Sequence, residues 1–240
     1  RTVELMRDMG IEDQIKAEEV PHHMIGETVF CTAINGEEFG RVHSWGTGPK
    51  REGDYIAASP SLNCDLPQTH FEPILVRNAM ARGAVFRWKT EYVSHTQDAE
   101  GVHTTVRDRL TGHTYVVHSK YLIGADGGRS QIAEDLGLPM DGKMGVSGSM
   151  NIHCDMDLSE YCQDRQSSLY WVLQPGASVG GIGLGLVRMV RPWNEWLVTW
   201  GYDINQPPPE MDEAKAADIV RNLVGIPDLD VNVRHWSLWT

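Results

Sequence analysis

The spacing of apolar residues along the chain changes several times, and each change predicts a different element. Thr2–Met9 has apolar residues at helical spacing and ends at a glycine, which is typical of a helix C-terminus. Two strand-like runs, Thr28–Ile34 and Phe39–Trp45, lie on either side of an Asn-Gly pair. That pair is a strong hairpin signal, so the runs predict two antiparallel strands.

A longer helix is predicted after the Gly-, Ser- and Pro-rich stretch Gly46–Asp65, which itself predicts an irregular loop. Thr69 and Glu72 form a T-x-x-E capping box, and Pro73 lies in the first turn. An apolar face then continues up to Gly83.

The middle of the chain predicts a β-meander followed by one more strand. The three meander strands are separated by turns at Asp98–Gly101 and Leu110–Gly112 and cover Val85–Ser94, Val102–Asp108 and Thr114–His118. Tyr121–Ala125 follows as a short run that is apolar throughout. This pattern predicts a strand buried on both faces.

After Gly145 the chain is rich in Trp and Met and consists mainly of predicted strands. The strands are Ser149–Asp155, Leu169–Gln174, Gly181–Val190 and Glu195–Tyr202, and a further strand is predicted in VNVRHWSLWT. Asp212–Val224 predicts a helix with an apolar face. A run of strands of this kind favours a mostly antiparallel sheet as a second structural unit.

Composition excludes several classes of partner. Lys and Arg number 21 against 33 Asp and Glu, for a net charge of −12. We therefore expect neither nucleic acid nor an anionic membrane surface as a partner, because both favour basic proteins. No apolar window approaches the roughly 18 residues of a membrane span. The four cysteines lack CxxC spacing, which favours reduced thiols in the cytoplasm over a disulfide.

Two tempting motifs do not match the chemistry that they suggest. The glycine run Gly180–Gly185 contains no G-x-G-x-x-G in any frame, and no helical pattern follows it. We interpret it as strand glycines that allow another backbone or a flat ligand to approach closely. His22 and His23 lack the i, i+4 spacing of a helical zinc motif, so no metal site is expected.

The segment KYLIGADGGRSQIAEDLGL carries the most informative motif. Asp126 follows the predicted buried strand, where open α/β sheets bind ligands, and its carboxylate could accept hydrogen bonds from ribose-like hydroxyls. Gly127 and Gly128 allow a positive φ and close approach of a ligand, and Ser130 can cap the next helix. An ordinary strand-to-helix turn with Asp as turn former explains the residues equally well.

Three segments, RTVELMRDMGIED, LPQTHFEPILVRNAMARGA and YLIGADGGRS, resemble the FAD-dependent aromatic hydroxylases in order and spacing. These are single-component flavoprotein monooxygenases with the p-hydroxybenzoate hydroxylase fold. The second half, which includes LYWVLQPGASVGGIGLGLVRMVRPWNEWLVTWGYDINQPPPE, is similar to the chlorophenol-hydroxylating branch of that family. The likeness covers essentially the whole chain, and MVRPWNEW is more specific than GADGG.

The resemblance implies FAD as the cofactor, with NADPH as the electron donor. It implies cofactor contacts for Gln68 of the LPQ segment and for Asp126 and Gly127 of the DG motif. It also implies that a phosphate-binding G-x-G-x-x-G lies upstream and a second flavin motif downstream, so we expect an internal piece that is inactive alone. Many relatives have Arg in S-x-V-R after the DG motif; Ala133 at this position is a feature of the chlorophenol branch.

The expected fold combines α/β and α+β parts. Residues 1–145 would form an incomplete Rossmann-like FAD-binding unit, and residues 146–240 a mostly antiparallel substrate-binding sheet, truncated at its C-terminus. Residues of about 22–65 are expected to pack with the substrate domain. Tyr121–Ala125 would be a central strand that brings Asp126 close to Gln68.

The implied reaction hydroxylates phenols or chlorophenols ortho to the hydroxyl group, with O2 and a flavin C4a-hydroperoxide. The protein must orient the ring, favour the phenolate and exclude water, and the sheet from Ser149 to Tyr202 would supply an apolar, Trp-lined cover. His153 and Asp155 are candidates for a base by residue type alone. A homo-oligomer is compatible with the sequence.

Two alternatives remain open at this point. One is a flavoprotein of the same fold that catalyses another oxidation, such as an epoxidation, or that acts on another phenol. The other is a flavin-free binding fragment without catalysis.

Overall fold

The computed structural model describes residues 1–143, 145–174 and 184–239. These residues form two compact units, one containing residues 1–78 and the described residues from 145 onward, the other containing residues 79–143. The helices are α1 (Thr2–Asp8), α2 (Glu12–Lys16), α3 (Glu52–Ala58), α4 (Gln68–Ala81), α5 (Gln131–Asp135), α6 (Ser159–Cys162) and α7 (Glu213–Val224). The strands are β1 (Glu27–Cys31), β2 (Glu38–His43), β3 (Thr90–Asp98), β4 (Gly101–Asp108), β5 (Thr114–Ser119), β6 (Gly148–Asp155), β7 (Leu169–Leu173), β8 (Leu184–Arg191), β9 (Glu195–Tyr202) and β10 (Asn232–Trp239).

A seven-stranded sheet dominates the first unit, in the order β10-β6-β9-β8-β7-β1-β2. The pairing of β1 with β7 is parallel, and the other pairings are antiparallel. The predicted hairpin of β1 and β2 is confirmed, although the longer segment Thr32–Glu37 replaces a two-residue turn. The sheet therefore joins strands from the beginning and from the end of the chain.

Burial alternates along β6 and β7, and the centre of the sheet has one buried face. Side chains from five adjacent strands form a buried row across it: Ile152, Val198, Val187, Tyr170 and Val29. Helix α7 covers this face with Ala216, Ala217, Val220, Leu223 and Val224. Full burial of each Val or Leu side chain contributes about 1.5–3 kcal/mol, so this helix is a main source of stability for the unit.

Both ends of α7 have residue types that commonly end helices. The Asp212 carboxylate accepts a hydrogen bond from the Lys215 backbone N–H at 2.8 Å and so caps the first turn. Gly225 ends the helix in the left-handed conformation at φ 80°.

Within the glycine-rich run, Gly185 lies directly beneath Leu223, and a Cβ there would be 2.4 Å from that side chain. Residues 180–183 of the run lie outside the described residues.

The second unit contains the predicted meander as a three-stranded antiparallel sheet in the order β3-β4-β5. Its first strand starts at Thr90 and extends to Asp98, so the predicted Val85–Ser94 was placed too early.

The prediction of a buried strand over Tyr121–Ala125 was wrong. The segment has no regular secondary structure, and Tyr121 and Ile123 are each 83% exposed. Among the described residues no strand pairs with it, so its backbone N–H and C=O groups have no ladder to join. Apolar composition alone does not make a strand without a neighbour to pair with.

Two local predictions also need correction. The loop predicted over Gly46–Asp65 contains helix α3. Helix α4 begins at Gln68, where the Pro67 carbonyl accepts from the backbone N–H groups of His70 and Phe71. Thr69 therefore lies inside the first turn and is not the N-cap that the capping box predicts.

Candidate functional site

The face of the seven-stranded sheet opposite α7 is half-buried, and we call it the open face. Its central row runs across five strands through Asn151, Thr199, Leu186, Trp171 and Phe30. The Phe30 and Trp171 rings stack with centroids 6.3 Å apart, and the Thr199 hydroxyl donates to the Asn151 side-chain oxygen at 2.8 Å. The row therefore offers an apolar, aromatic surface with polar groups at one end.

Arg188 is the charged residue of the next row, where it lies between Leu197 and Leu169. Its Nη2 donates to the Asp65 Oδ1 at 2.6 Å. Asp65 comes from the segment immediately before α4. This ion pair fixes that segment against the open face.

A polar cluster lies at the end of the open face, where β6, β9 and β10 meet. Asp155 and Glu195 are directly opposite each other on neighbouring strands, an unfavourable arrangement for two carboxylates. Arg234 lies at a β-bulge of β10 and contacts both: Nη2 is 2.7 Å from Asp155 Oδ1, and Nη1 is 3.2 Å from Glu195 Oε1. Hydrogen bonds from Arg234 lower the pKa of Asp155, and those to Asp155 raise the pKa of Arg234.

His153, one of the base candidates, belongs to this cluster. Its Nε2 lies 2.7 Å from Glu195 Oε1, and the Glu195 side chain is only 9% exposed. Asp155, the other candidate, has its carboxylate occupied by Arg234 and by the Asn232 amide. The structure therefore does not join His153 and Asp155 directly, but connects them through Glu195 and Arg234.

Gln68 lies between two contacts with the sheet. Three residues before it, Asp65 pairs with Arg188; two residues after it, His70 Nε2 lies 3.6 Å from Glu195 Oε2. That separation exceeds hydrogen-bond length, and His70 Nε2 is buried without a hydrogen-bond partner among the described residues. The first turn of α4 is thus held against the open face on both sides of Gln68.

The Asp126–Gly127 motif belongs to the second unit, whereas Gln68 belongs to the first, so their proximity stays a prediction. Asp126 accepts hydrogen bonds from the Ser130 hydroxyl at 2.6 Å and from the Ile132 N–H at 3.3 Å. The hydrogen bond from Ser130 is the main cause that lowers the pKa of Asp126. Ser130 caps α5 as predicted, by accepting from the Ala133 N–H at 3.0 Å.

Gly127 has the left-handed conformation that the motif predicts, with φ 83°, and no heavy atom lies within 4 Å of a built Cβ. The backbone is therefore open to close approach at this position.

Two cavities lie beside the Asp65–Arg188 pair in the first unit. The smaller, about 130 Å³, is lined by Ile25, Trp45, Asn63, Cys64, Asp65 and Arg188. The larger, about 350 Å³, shares Trp45, Asn63 and Cys64 as walls and continues along α1 and α3.

Sequence reasoning missed four residues of this face: Asp65, Arg188, Glu195 and Arg234. The signal available for Arg188 and Glu195 was their position in phase with the half-buried side of their strands. The contacts themselves join residues as far as 123 positions apart and leave no local pattern.

Comparison with known proteins identifies the family. Residues 1–240 match the family described as FAD binding domain. The chain is 52% identical over 240 residues to the 2,4-dichlorophenol 6-monooxygenase of Delftia acidovorans, covering all of this chain and 41% of that protein. It is 52% identical over 241 residues to the phenol 2-monooxygenase of Pseudomonas sp. (strain EST1001), again over the whole chain and over 38% of the relative.

The crystal structure of the flavin-dependent monooxygenase PieE in complex with FAD and substrate superposes with a TM-score of 0.91 at 36% identity. The superposition covers 99% of this chain and 41% of PieE. The chain therefore spans about two-fifths of the length of these relatives. The resemblance found in the sequence and the expected fold class are both confirmed. The chain belongs to the FAD binding domain family, and the relatives compared above are named as monooxygenases.

Proposed function

We propose that this chain is part of an FAD-dependent monooxygenase that hydroxylates phenols, chlorophenols among them, with NADPH and O2 as co-substrates in the cytoplasm. The relatives named for phenol and for 2,4-dichlorophenol support the reaction class. The observation that carries the proposal is the open face: an aromatic and aliphatic row next to the first turn of α4, which holds Gln68.

The residues present fit a flavin. Among the described residues the exposed Gln68 amide makes no side-chain hydrogen bond, so its donor and its acceptor are both available to the polar edge of a ring system. The Asp126 carboxylate is exposed, and a hydroxyl group is a suitable donor to it. The open backbone at Gly127 allows a flat group to approach.

Bound FAD would supply the redox chemistry that activates O2. The protein's own residues would orient the phenol and keep water away from it. Phe30, Trp171 and Leu186 would exclude water from the open face by apolar contact with the bound molecules, and the neighbouring Thr199–Asn151 pair supplies a polar edge to this surface. The first unit is then the substrate-binding part, and the second carries the DG motif.

The full-length protein tests the proposal. Its visible spectrum should show bound flavin, and 2,4-dichlorophenol should yield the catechol hydroxylated ortho to the original hydroxyl, with NADPH consumed in equal amount. The methyl ether 2,4-dichloroanisole, which has the same ring without the hydroxyl, is the matched control and should give no hydroxylated product. An epoxide product or the absence of flavin would support the alternatives and refute the proposal.

A further inference from the structure

Next to the Asp65–Arg188 pair, the 130 Å³ cavity has the size of a single aromatic ring. For comparison, an engineered apolar cavity of about 150 Å³ in another protein binds benzene. The Trp45 ring and Ile25 supply apolar wall, while Asn63, Asp65 and Arg188 supply polar groups. This cavity is therefore shaped for a small ring that carries one polar substituent.

The backbone around Trp45 is held in an unfavourable conformation on this wall. Trp45 has φ 53° and Gly46 has φ 77°, and the Thr47 N–H donates to the Ser44 carbonyl to close the turn. For a bulky residue such as Trp, a positive φ is uncommon and needs support from its surroundings. The Asn63 side chain provides this support by donating to the Trp45 carbonyl. Strained residues of this kind cluster at ligand sites.

The ion pair presents one acceptor and several donors to the cavity. Asp65 uses Oδ1 for Arg188, so Oδ2 remains an acceptor, and Arg188 donates to Asp65 from Nη2 among its five N–H groups. A neutral phenol hydroxyl is complementary to this pair, since it donates one hydrogen bond and accepts another. A phenolate has no proton for Asp65, and its charge would be repelled by the carboxylate.

We propose, on the basis of the function proposed above, that Asp65 and Arg188 form the subsite for the substrate hydroxyl and bind a monocyclic phenol in its neutral form. This differs from the expectation drawn from the sequence that the protein favours the phenolate. Arg188 donates a hydrogen bond to the phenol oxygen, and the Asp65 carboxylate accepts a hydrogen bond from the phenol hydroxyl. Trp45 and Ile25 contact the ring. The larger neighbouring cavity, which shares Trp45, Asn63 and Cys64, gives ring substituents room to extend.

The other titratable groups near the cavity do not compete for the phenol. Cys64 lines it, and burial, together with its hydrogen bond to Glu19, raises the pKa of the Cys64 thiol to about 12. The thiol therefore stays neutral at physiological pH and does not offer Arg188 a second anion. Among the described residues that line the cavity, Asp65 and Arg188 are the charged ones.

Binding to the oxidised full-length protein without NADPH tests the subsite separately from turnover. The probes are 4-nitrophenol, which ionises near neutral pH, and 4-nitroanisole, which keeps the oxygen acceptor but has no proton to donate. At a pH below the pKa of nitrophenol, the wild-type protein should bind nitrophenol about tenfold more tightly than nitroanisole. This preference corresponds to about 1.4 kcal/mol. At a pH above the pKa of nitrophenol, nitrophenol binding should weaken. Nitroanisole binding, the internal control, should not change.

Asp65→Asn should reduce the preference for nitrophenol over nitroanisole, because an amide oxygen is a weaker acceptor than a carboxylate. The same variant should abolish the loss of nitrophenol binding at high pH, because the amide is uncharged and can donate to a phenolate. Arg188→Met should weaken the binding of nitrophenol about tenfold, and Arg188→Lys should retain part of the wild-type affinity. Arg191→Met is the matched control: it removes the ion pair of Arg191 Nη2 with Glu18 (2.8 Å) at the end of the same strand and should leave both affinities unchanged.

Tighter binding of nitrophenolate than of nitrophenol by the wild-type protein would overturn the proposal. Asp65→Asn and Arg188→Met variants that are folded and bind like the wild type would overturn it as well. In either case continued hydroxylation of 2,4-dichlorophenol would leave the proposed function intact. A full-length protein that lacks flavin would refute the proposed function and this subsite together.

Discussion

Arg234 stabilises the sheet because its guanidinium forms ion pairs with two carboxylates that would otherwise repel each other. Its removal should therefore destabilise the protein. Arg234→Leu leaves Asp155 and Glu195 opposite each other on β6 and β9. Breaking a fully buried ion pair costs about 3–5 kcal/mol, and an exposed pair contributes about 0–1 kcal/mol. The side chains of Arg234, Asp155 and Glu195 are 45%, 33% and 9% exposed, so we expect a loss of about 2 kcal/mol.

Urea denaturation, followed by circular dichroism, measures this loss. With a slope of about 2 kcal/mol per molar urea, the midpoint should fall by about 1 M without a change in slope. Arg51→Leu is the matched control, because the Arg51–Asp54 pair is highly exposed and its loss should shift the midpoint very little. The double variant Arg234→Leu with Glu195→Leu should recover stability, since it also removes the buried charge. Equal midpoints for Arg234→Leu and Arg51→Leu would refute the reasoning.

The pH dependence of the same variant has a defined sign. The pKa of Asp155 is lower in the folded protein than its ordinary value of 3.8, chiefly through Arg234. Stabilisation by this pair is therefore complete above the ordinary value and is lost as the pH falls through the folded-state pKa. The difference in stability between the wild-type protein and Arg234→Leu should shrink below pH 3.8. A difference that stays constant into that range would contradict the assignment.

Three further predictions follow from single positions. Gly185→Ala places a Cβ against Leu223 and should cost about 1–3 kcal/mol in the free energy of unfolding, measured by the same urea titration; an unchanged midpoint would show that α7 can shift away. Asp212→Ala removes the N-cap of α7 and should cost about 1 kcal/mol, while Asp212→Asn should retain most of the stability. In the full-length protein Asp126→Ala should weaken FAD retention or slow reduction by NADPH, by about 1–3 kcal/mol, and normal values for both would rule out its proposed role.

The sequence determined most local structure because the relevant interactions are local. Three local features depend on residues within a few positions of each other: the cap at Asp212, the left-handed glycines after α4 and α7, and the alternation along β6 and β7. This alternation gives each of the two strands one buried and one half-buried face. The quoted segments identified the family in the same way, because they are contiguous.

Tertiary structure alone decided which strands lie side by side and which polar residues meet. The parallel pairing of β1 with β7 brings Phe30 against Trp171, and the bulge at Arg234 directs its guanidinium to two carboxylates. Asp65 and Arg188 are far apart in the sequence and become partners because the segment before α4 crosses the open face. Tyr121–Ala125 shows the converse: the segment is apolar, but Tyr121 and Ile123 are exposed, because none of the strands in the described part of the chain pairs with it. Strand pairing depends on backbone groups of distant residues, which carry no side-chain signature, so the candidate site emerges only when the chain is folded.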